Sequence, residues 1–174
     1  MADATRIPDQ LRTHVWEGRV NADRLRRYYG ELAGVLTRRA SMLTTLGCFV
    51  AFVGPHLDGL GAPAWLEVLV SLAGVVLAIS TIAHSQNRII EALFRHQQFA
   101  DLHTEWTGLW QRVEDEMAAV PEVQSRWTEL TRKADAITVR SPQDKINQRV
   151  LDAAEQATYA YYEQEAAPGV PATT

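Results

Sequence analysis

Apolar residues are concentrated between Ala40 and Ala83, and strongly polar segments flank this region on both sides. Two runs in it, Ala40–Leu57 and Val68–Asn87, contain no Asp, Glu, Lys or Arg. At the helical rise per residue, about 18 to 20 residues measure about 27 to 30 Å, which is enough to cross the hydrocarbon core of a bilayer. The pattern predicts an all-α fold with a two-helix transmembrane hairpin, its spans at about 40–57 and 64–85. A buried hairpin inside a soluble helical bundle is the alternative.

The segment between the two runs, Gly54–Pro63, contains two Pro and three Gly, which is typical of a turn between helices. It has no Lys or Arg. Basic residues instead flank the far ends of both runs: Arg38, Arg39, Arg88 and Arg95. The positive-inside rule therefore predicts that the turn lies outside the cell and that both termini are cytoplasmic. Arg38, Arg39 and Trp65 are the predicted membrane-interface residues, since indoles and basic side chains favour the headgroup level.

One face of the second predicted span is small or polar along its whole length. Its residues recur at alternating steps of three and four: Glu67, Ser71, Gly74, Ala78, Thr81, Ser85 and Arg88. A similar face on the first span contains Ala40, Thr44, Gly47, Ala51 and Gly54. Small residues allow helices to associate closely in lipid, within the hairpin or between protomers. Alternatively, the polar members of the stripe line a polar path, which requires several copies because two helices cannot enclose one.

Beyond Ser85 no helix-breaking residue occurs before Val120-Pro121, so we expect the second span to continue into the cytoplasm as one helix of about fifty residues. Apolar residues recur along this extension as in a coiled coil. They form a predicted cytoplasmic seam between copies: Phe99, Leu102, Trp106, Leu109, Val113 and Met117.

Shorter helices are predicted on both sides of the hairpin. One follows Pro121, with Val123, Trp127, Leu130, Ala134 and Ile137 on one face. The last begins with a cap at Ser141-Pro142 and carries Ile146, Val150, Ala153, Ala157 and Tyr161 on one side. On the N-terminal side, a short helix with Val15 and Trp16 is expected to break at Gly18, and Asn21 caps the helix that enters the first span. The predicted divisions are an arm at 1–20, the hairpin with its extensions at 21–120, bracing helices at 121–167 and a disordered tail at 168–174.

The side chains form no recognisable catalytic constellation, so we predict neither an enzyme nor a cofactor. Cys48 is the only cysteine, which excludes a disulfide framework and a paired-cysteine zinc site, and we interpret it as a small residue in a packed helix. His96 and His103 lie on one helix face without a third metal ligand. Tyr159, Tyr161 and Tyr162 suit a partner contact better than a ligand site. Basic residues do not form a stripe with interleaved aromatics, so no nucleic-acid partner is expected.

The order of these segments along the chain resembles that of the SLATT family. Its members are two-helix transmembrane effector domains associated with bacterial nucleotide-signalling systems. The resemblance covers about 21–117. It rests on a basic leader reading Arg24-Leu-Arg-Arg-Tyr-Tyr29 and then Arg38-Arg39, a short-looped hairpin, a Ser-containing exit, and a long helix. That helix reads Phe94-Arg-His-Gln-Gln-Phe-Ala-Asp-Leu-His-Thr-Glu-Trp-Thr-Gly-Leu-Trp110. The helices after Pro121 have no counterpart that we can match.

The resemblance implies an oligomeric, pore-forming or membrane-disrupting effector of antiphage defence in the bacterial inner membrane. It implies a lipid-bilayer partner, a homo-oligomer, and a trigger from a separate sensor protein or a small nucleotide. The family has no catalytic residues to carry over. The alternative function is a membrane-anchored scaffold whose cytoplasmic helices dock a partner protein without conducting ions.

Overall fold

The computed structural model describes residues 7–56, 63–139 and 147–166. Over these ranges the chain is all-helical and contains no strand. Four helices follow one another: α1 at Asp9–Val53, α2 at Ala64–Glu114, α3 at Val120–Val139 and α4 at Gln148–Ala166. The predicted fold class is therefore confirmed as all-α. The predicted cap at Ser141-Pro142, the position of Ile146 and the tail at 168–174 lie outside the described residues.

Local polar groups define the helix ends. At the start of α2 the Pro63 carbonyl accepts the Leu66 N–H at 2.8 Å. Asn147 begins α4: its side-chain oxygen accepts the Val150 N–H at 3.4 Å, and its carbonyl accepts the Val150 and Leu151 N–H groups at 3.0 Å. An asparagine oxygen in this position satisfies backbone N–H groups that the first turn leaves without a helical partner.

The prediction of one helix of about fifty residues is confirmed, since α2 has 51 residues, but α2 ends before Pro121. The Met117 N–H donates to the Arg112 carbonyl at 3.0 Å, and the Glu116 N–H to the Val113 carbonyl at 3.4 Å. Glu116 has a φ of 53°. These features make a Schellman motif, which closes a helix with a left-handed residue. Pro121 consequently lies in the first turn of α3, where its missing N–H costs no helical bond.

The expected helix break at Gly18 is wrong, because α1 is continuous through Gly18 and Asn21. A Cβ placed on Gly18 would lie 2.7 Å from the Trp106 indole, closer than carbon atoms approach one another. Gly18 therefore allows α2 to approach α1. The cost of a glycine within a helix, about 1 kcal/mol relative to alanine, is smaller than the gain from burying an indole.

The chain divides into two compact units. Unit 1 contains the described residues up to Glu31 and from Phe94 onwards, and unit 2 contains Leu32–Leu93. A hydrophobic cluster of α1, α2 and α3 side chains forms the core of unit 1. Its fully buried members include Val15, Phe99, Trp106, Val113, Val123 and Leu130. Partly buried Trp127, Ala134 and Ile137 pack against it, so the predicted inner face of α3 is confirmed.

The face predicted for α4 is buried at Val150 but is otherwise wrong within the described residues. Ala153, Ala157 and Tyr161 are exposed. The other buried residues of this helix are Ala154, Thr158 and Tyr162. Two nearly equivalent stripes of small residues lie side by side on this helix, and Thr158 distinguishes them. Its hydroxyl donates to the Ala154 carbonyl at 2.8 Å, so a polar residue is buried without an unpaired donor.

Candidate functional site

In unit 2, α1 and α2 contact each other through backbone atoms at glycine positions. A Cβ placed on Gly47 would lie 2.8 Å from the Gly74 carbonyl oxygen and 2.9 Å from the Ala78 nitrogen. A Cβ on Gly74 would lie 2.6 Å from the Gly47 oxygen and 2.9 Å from the Ala51 Cα. Both glycines and Ala78 are buried. The middle of the predicted stripe on α2 is therefore helix-packing surface in this structure, covered by the small-residue face of α1.

The polar members of the stripe lie on both sides of this contact. Ser71 packs against Gly54, and its Oγ is buried without a hydrogen-bond partner. Ser85 Oγ donates to the Thr81 carbonyl at 2.5 Å, so this hydroxyl is satisfied within its own helix. Glu67, like Ser71, Thr81 and Ser85, is half-buried, whereas Arg88 is exposed.

Large apolar side chains cover the outside of unit 2. On α1 they include Met42, Leu46, Phe49 and Phe52, and on α2 they include Val68, Leu72, Val76, Ile79 and Ile82. Phe52 and Met42 are 70% and 71% exposed. A water-soluble protein rarely exposes so many neighbouring apolar side chains, so this surface suits a membrane or a partner.

One helix among the described residues, α2, is long and apolar enough to cross a membrane. Its best 18-residue window has a mean hydropathy of 2.2 and is 6% buried. A core helix of a soluble protein would be mostly buried instead. This finding supports membrane association through the second predicted span. The first span stays a prediction, because Ser41, Thr44 and Thr45 dilute the apolar part of α1.

The predicted interface residues are available to solvent or lipid. Arg38 and Arg39 are exposed, and Trp65 is 64% exposed at the start of α2. Cys48 is exposed as well, although its helix packs against α2 through the neighbouring Gly47. It lies beside the covered small-residue face of α1.

The periodic residues predicted as a seam between copies lie inside unit 1 instead. Phe99, Leu102, Trp106, Leu109 and Val113 are at most 5% exposed and belong to its core. Met117 follows the end of α2 and is 74% exposed. The regular spacing that is typical of a coiled coil is thus satisfied by α1 and α3 of the same chain, since a helix stripe buries against any apolar surface.

A buried polar cluster, which the sequence analysis did not predict, centres on Asp23 of α1. This carboxylate is 1% exposed and accepts hydrogen bonds from Arg26 Nη2 at 2.5 Å and Arg27 Nε at 2.9 Å. Arg19, 6% exposed, lies one turn earlier. The spacing of an acid with basic residues three and four positions later could have indicated ion pairs along the helix, although not their burial.

The same face of α1 holds α4 through charged and aromatic groups. Arg19 Nη2 donates to both carboxylate oxygens of Glu165, at 2.9 and 3.2 Å. The Arg19 guanidinium also lies 5.1 Å from the centre of the Tyr162 ring. Further along the helix, Arg24 Nη1 lies 3.5 Å from Glu155. Cation–π contacts of this kind add to ion pairing where the groups are partly desolvated.

Two titratable side chains meet where α2 faces α4. His103 Nε2 lies 3.3 Å from the Tyr162 hydroxyl. Burial lowers the pKa of His103 below its ordinary 6.5, because the imidazolium would lose hydration. Nearby arginine charges act in the same direction, and the Asp23 carboxylate only partly opposes them. Burial raises the pKa of Tyr162 to about 12. Both groups are therefore neutral near pH 7 and contribute a neutral hydrogen bond.

A cavity of about 260 Å³ lies between α1 and α4 in unit 1. Trp16, Val20, Arg24, Glu155 and Tyr159 contribute to its lining. Tyr159 is therefore at this cavity, whereas Tyr162 is buried and Tyr161 lies near Arg27. The three tyrosines therefore do not share one surface.

No group of His, Cys, Asp and Glu side chains in the described residues is arranged to hold a metal ion. His96 and His103 have separate partners: His96 Nδ1 lies 2.8 Å from the Arg26 carbonyl, and His103 contacts Tyr162. A Cβ on Gly30 would lie 3.1 Å from His96 Nδ1, so this histidine fills the space beside a glycine. Its role is in helix packing.

Over the described residues, the fold and these surfaces define an all-helical protein with one helix suited to crossing a membrane and a second helical unit with its own hydrophobic core. Compared with protein-family models, with curated proteins and with solved structures, the chain shows no match to any of the three.

Proposed function

We propose that the protein is an integral membrane protein of the bacterial inner membrane, in which a two-helix hairpin tethers a cytoplasmic helical module. In this proposal unit 2 spans the bilayer twice, and unit 1 lies in the cytoplasm with both termini. The module acts by docking a partner protein, and no reaction is catalysed.

The observation that carries this proposal is that unit 2 has large apolar side chains on its outer surface and small residues at its inner helix–helix contact. Large apolar side chains face outwards on both helices, while Gly47, Gly74 and Ala78 bring the two backbones together inside. Water-soluble helices normally show the opposite arrangement, with apolar groups inside. In lipid the outward residues need no burial, and close packing of small residues supplies the helix–helix attraction.

Cysteine labelling tests the topology. In a Cys48→Ser background, a cysteine replacing Asp58 in the predicted turn should react with a membrane-impermeant maleimide in intact spheroplasts. A cysteine replacing the exposed Gln111 should react only after lysis. Equal labelling of both positions before lysis, in cells that exclude the reagent, would contradict the hairpin topology. Full extraction of the chain by carbonate would contradict membrane insertion.

A second candidate function is the oligomeric, pore-forming effector of a nucleotide-signalling defence system. It is favoured by one observation: Ser71 Oγ is buried without a partner, although alanine would pack equally well there. A hydroxyl in that position is accounted for if the hairpin has another state in which Ser71, Thr81 and Ser85 face water. In that state the contact through Gly74 must open, and several copies must surround the path.

Replacing these three hydroxyl residues by alanine separates the two candidates. Ser71→Ala, Thr81→Ala and Ser85→Ala together preserve the packing volume and remove the polar groups. If the hairpin conducts, ion leakage from vesicles and growth arrest on expression should both fall. If the hairpin is only a tether, neither should change, and Ser71→Ala alone should raise stability by about 1 kcal/mol because a buried unpaired hydroxyl is removed.

A further inference from the structure

Helix α4 is attached to unit 1 without contributing to its hydrophobic core. No α4 residue belongs to the described apolar cluster, which α1, α2 and α3 form with neighbouring residues. The buried α4 residues are small or polar, apart from Tyr162: Val150, Ala154, Thr158 and Tyr162. Ionic and aromatic contacts with α1 therefore add to the small apolar area that α4 buries.

Those contacts join an acidic helix to a basic surface. Between Gln148 and Ala166, α4 carries four acids and one Arg, a net charge of −3. Between Arg19 and Arg27, α1 carries four Arg and one acid, a net charge of +3. Charge complementarity of this kind selects a partner and its orientation more than it adds affinity.

The carboxylate ends of these ion pairs are in contact with water. The Glu165 and Glu155 side chains are 41% and 37% exposed, so water and salt screen their pairs with Arg19 and Arg24. Ion pairs with a solvent-exposed carboxylate are weakened by salt more than fully buried pairs are. Raising the salt concentration should therefore favour the undocked helix.

We propose that the surface of α1 and α2 beneath α4 is a docking site for α4 of a second copy of this chain. Release of α4 breaks the contacts of Arg19 with Glu165, of Arg24 with Glu155 and of His103 with Tyr162. Another copy's α4 restores each of these contacts without any new one, which makes exchange of a helix an inexpensive route to a dimer. The inference concerns unit 1 alone and does not depend on whether unit 2 conducts ions or only tethers.

Crosslinking between copies tests this exchange. In a Cys48→Ser background, one preparation carries Arg24→Cys and a second, with a different tag, carries Glu155→Cys. The two are mixed, incubated at high salt, returned to low salt and treated with a short bismaleimide. We expect a crosslinked species that contains both tags, several-fold more abundant after the high-salt step.

A matched pair outside α4 provides the control. Arg112 on α2 and Glu122 on α3 form an ion pair at 2.6 Å with side chains 54% and 50% exposed. A mixture of Arg112→Cys and Glu122→Cys preparations should give little product with both tags, because α3 is anchored in the core by Val123 and Leu130. Equal yields from the two mixtures would overturn the exchange.

Charge reversal provides a second test of the helix exchange, and this test does not depend on crosslinker geometry. Arg19→Glu weakens docking of the chain's own α4, and Glu165→Arg does the same from the other side. A mixture of the two variants restores an attractive pair only between copies, so the two tags should co-purify more than in a mixture of wild-type chains. Circular dichroism confirms that each variant is helical. Co-purification no higher than in the wild-type mixture would refute the proposal.

Discussion

Glycine residues have two distinct environments in these helices, and substitution should separate them. Gly74 contacts the backbone of α1, whereas nothing lies within 4 Å of a Cβ placed on Gly34 or Gly108. The same residue type thus allows close packing at one position and only lowers helix propensity at another. Sequence alone does not distinguish these positions.

Gly74→Ala should destabilise the protein by about 1–3 kcal/mol, because the added methyl group forces the two backbones apart. Gly108→Ala on the same helix should instead stabilise it by about 0.5–1 kcal/mol through helix propensity. Thermal unfolding of the detergent-solubilised variants measures both. Unchanged stability of Gly74→Ala would mean that α1 and α2 do not pack as described.

Asp23 should contribute to stability through its two arginine partners. Asp23→Asn removes the charge and weakens two charge-assisted hydrogen bonds, but Arg26 and Arg27 are each about one-third exposed and regain hydration. We therefore expect a loss of about 1–3 kcal/mol. Asp101→Asn, at an exposed acid that accepts from Gln97, should change stability by less than about 0.5 kcal/mol. Denaturation by urea compares the two variants, and equal effects would contradict the buried cluster.

The lowered pKa of His103 predicts a pH dependence of unit 1. The folded chain binds a proton at this group less readily than the unfolded chain, whose histidine keeps a pKa near 6.5. The contribution of His103 to the free energy of unfolding is therefore fully present above pH 6.5. It decreases as the pH falls from 6.5 towards the pKa of His103 in the folded chain. The charged or titratable groups facing it are Tyr162, Asp23, Arg19, Arg26 and Arg27.

His103→Gln should remove this contribution while leaving the other histidines in place. The melting temperature of the wild type should fall more between pH 7.5 and 5.5 than that of the variant. An identical slope in both would show that His103 does not titrate differently in the two states.

At the scale of the elements, the helix ends are determined by local chemistry that hydropathy does not reveal. The Schellman motif ends α2 at Glu114, several residues before Pro121. Asn147 caps α4. Gly18 does not end a helix at all, because Trp106 occupies the space that a side chain would need.

Asn147→Ala should destabilise the first turn of α4 by about 1 kcal/mol, since the Val150 N–H loses its side-chain acceptor. Hydrogen exchange of the backbone amides at 150 and 151 should accelerate about fivefold. Asn147→Ser retains an acceptor and should stay close to the wild type. Equal exchange rates in both variants would mean that the cap contributes nothing.

At the scale of the whole molecule, the two units expose different kinds of surface. Unit 2 exposes many neighbouring apolar side chains, whereas unit 1 buries its periodic apolar residues in its own core. Apolar residues recur at helical spacing in both units. The difference arises because unit 1 has additional helices to cover the stripe, and unit 2 has only α1 and α2.

A charge introduced on the apolar surface should therefore have an effect that depends on the unit. Val76→Glu, at a side chain 54% exposed on α2, should reduce the carbonate-resistant membrane fraction several-fold. A charge at the centre of a span costs about 2.5–3.5 kcal/mol on insertion scales. Met117→Glu, at a side chain 74% exposed in unit 1, should leave that fraction unchanged. An unchanged fraction for Val76→Glu would argue against insertion of α2.

Much of the secondary structure followed from the sequence, because a period of 3.6 residues and the position of prolines are local properties. The all-helical class, the length of α2 and the inner face of α3 were predicted correctly. The first span stayed a prediction, since the hydroxyl residues of α1 leave its hydropathy lower.

Only the tertiary structure decided which of several equivalent surfaces is covered. It assigned Phe99, Trp106 and Val113 to the core of their own chain, and it chose Ala154 and Thr158 over Ala153 and Ala157 on α4. It also brought Asp23 and His103 to the same buried cluster from different helices. The physical reason is that periodicity specifies a face, whereas burial depends on which other element is near enough to cover it.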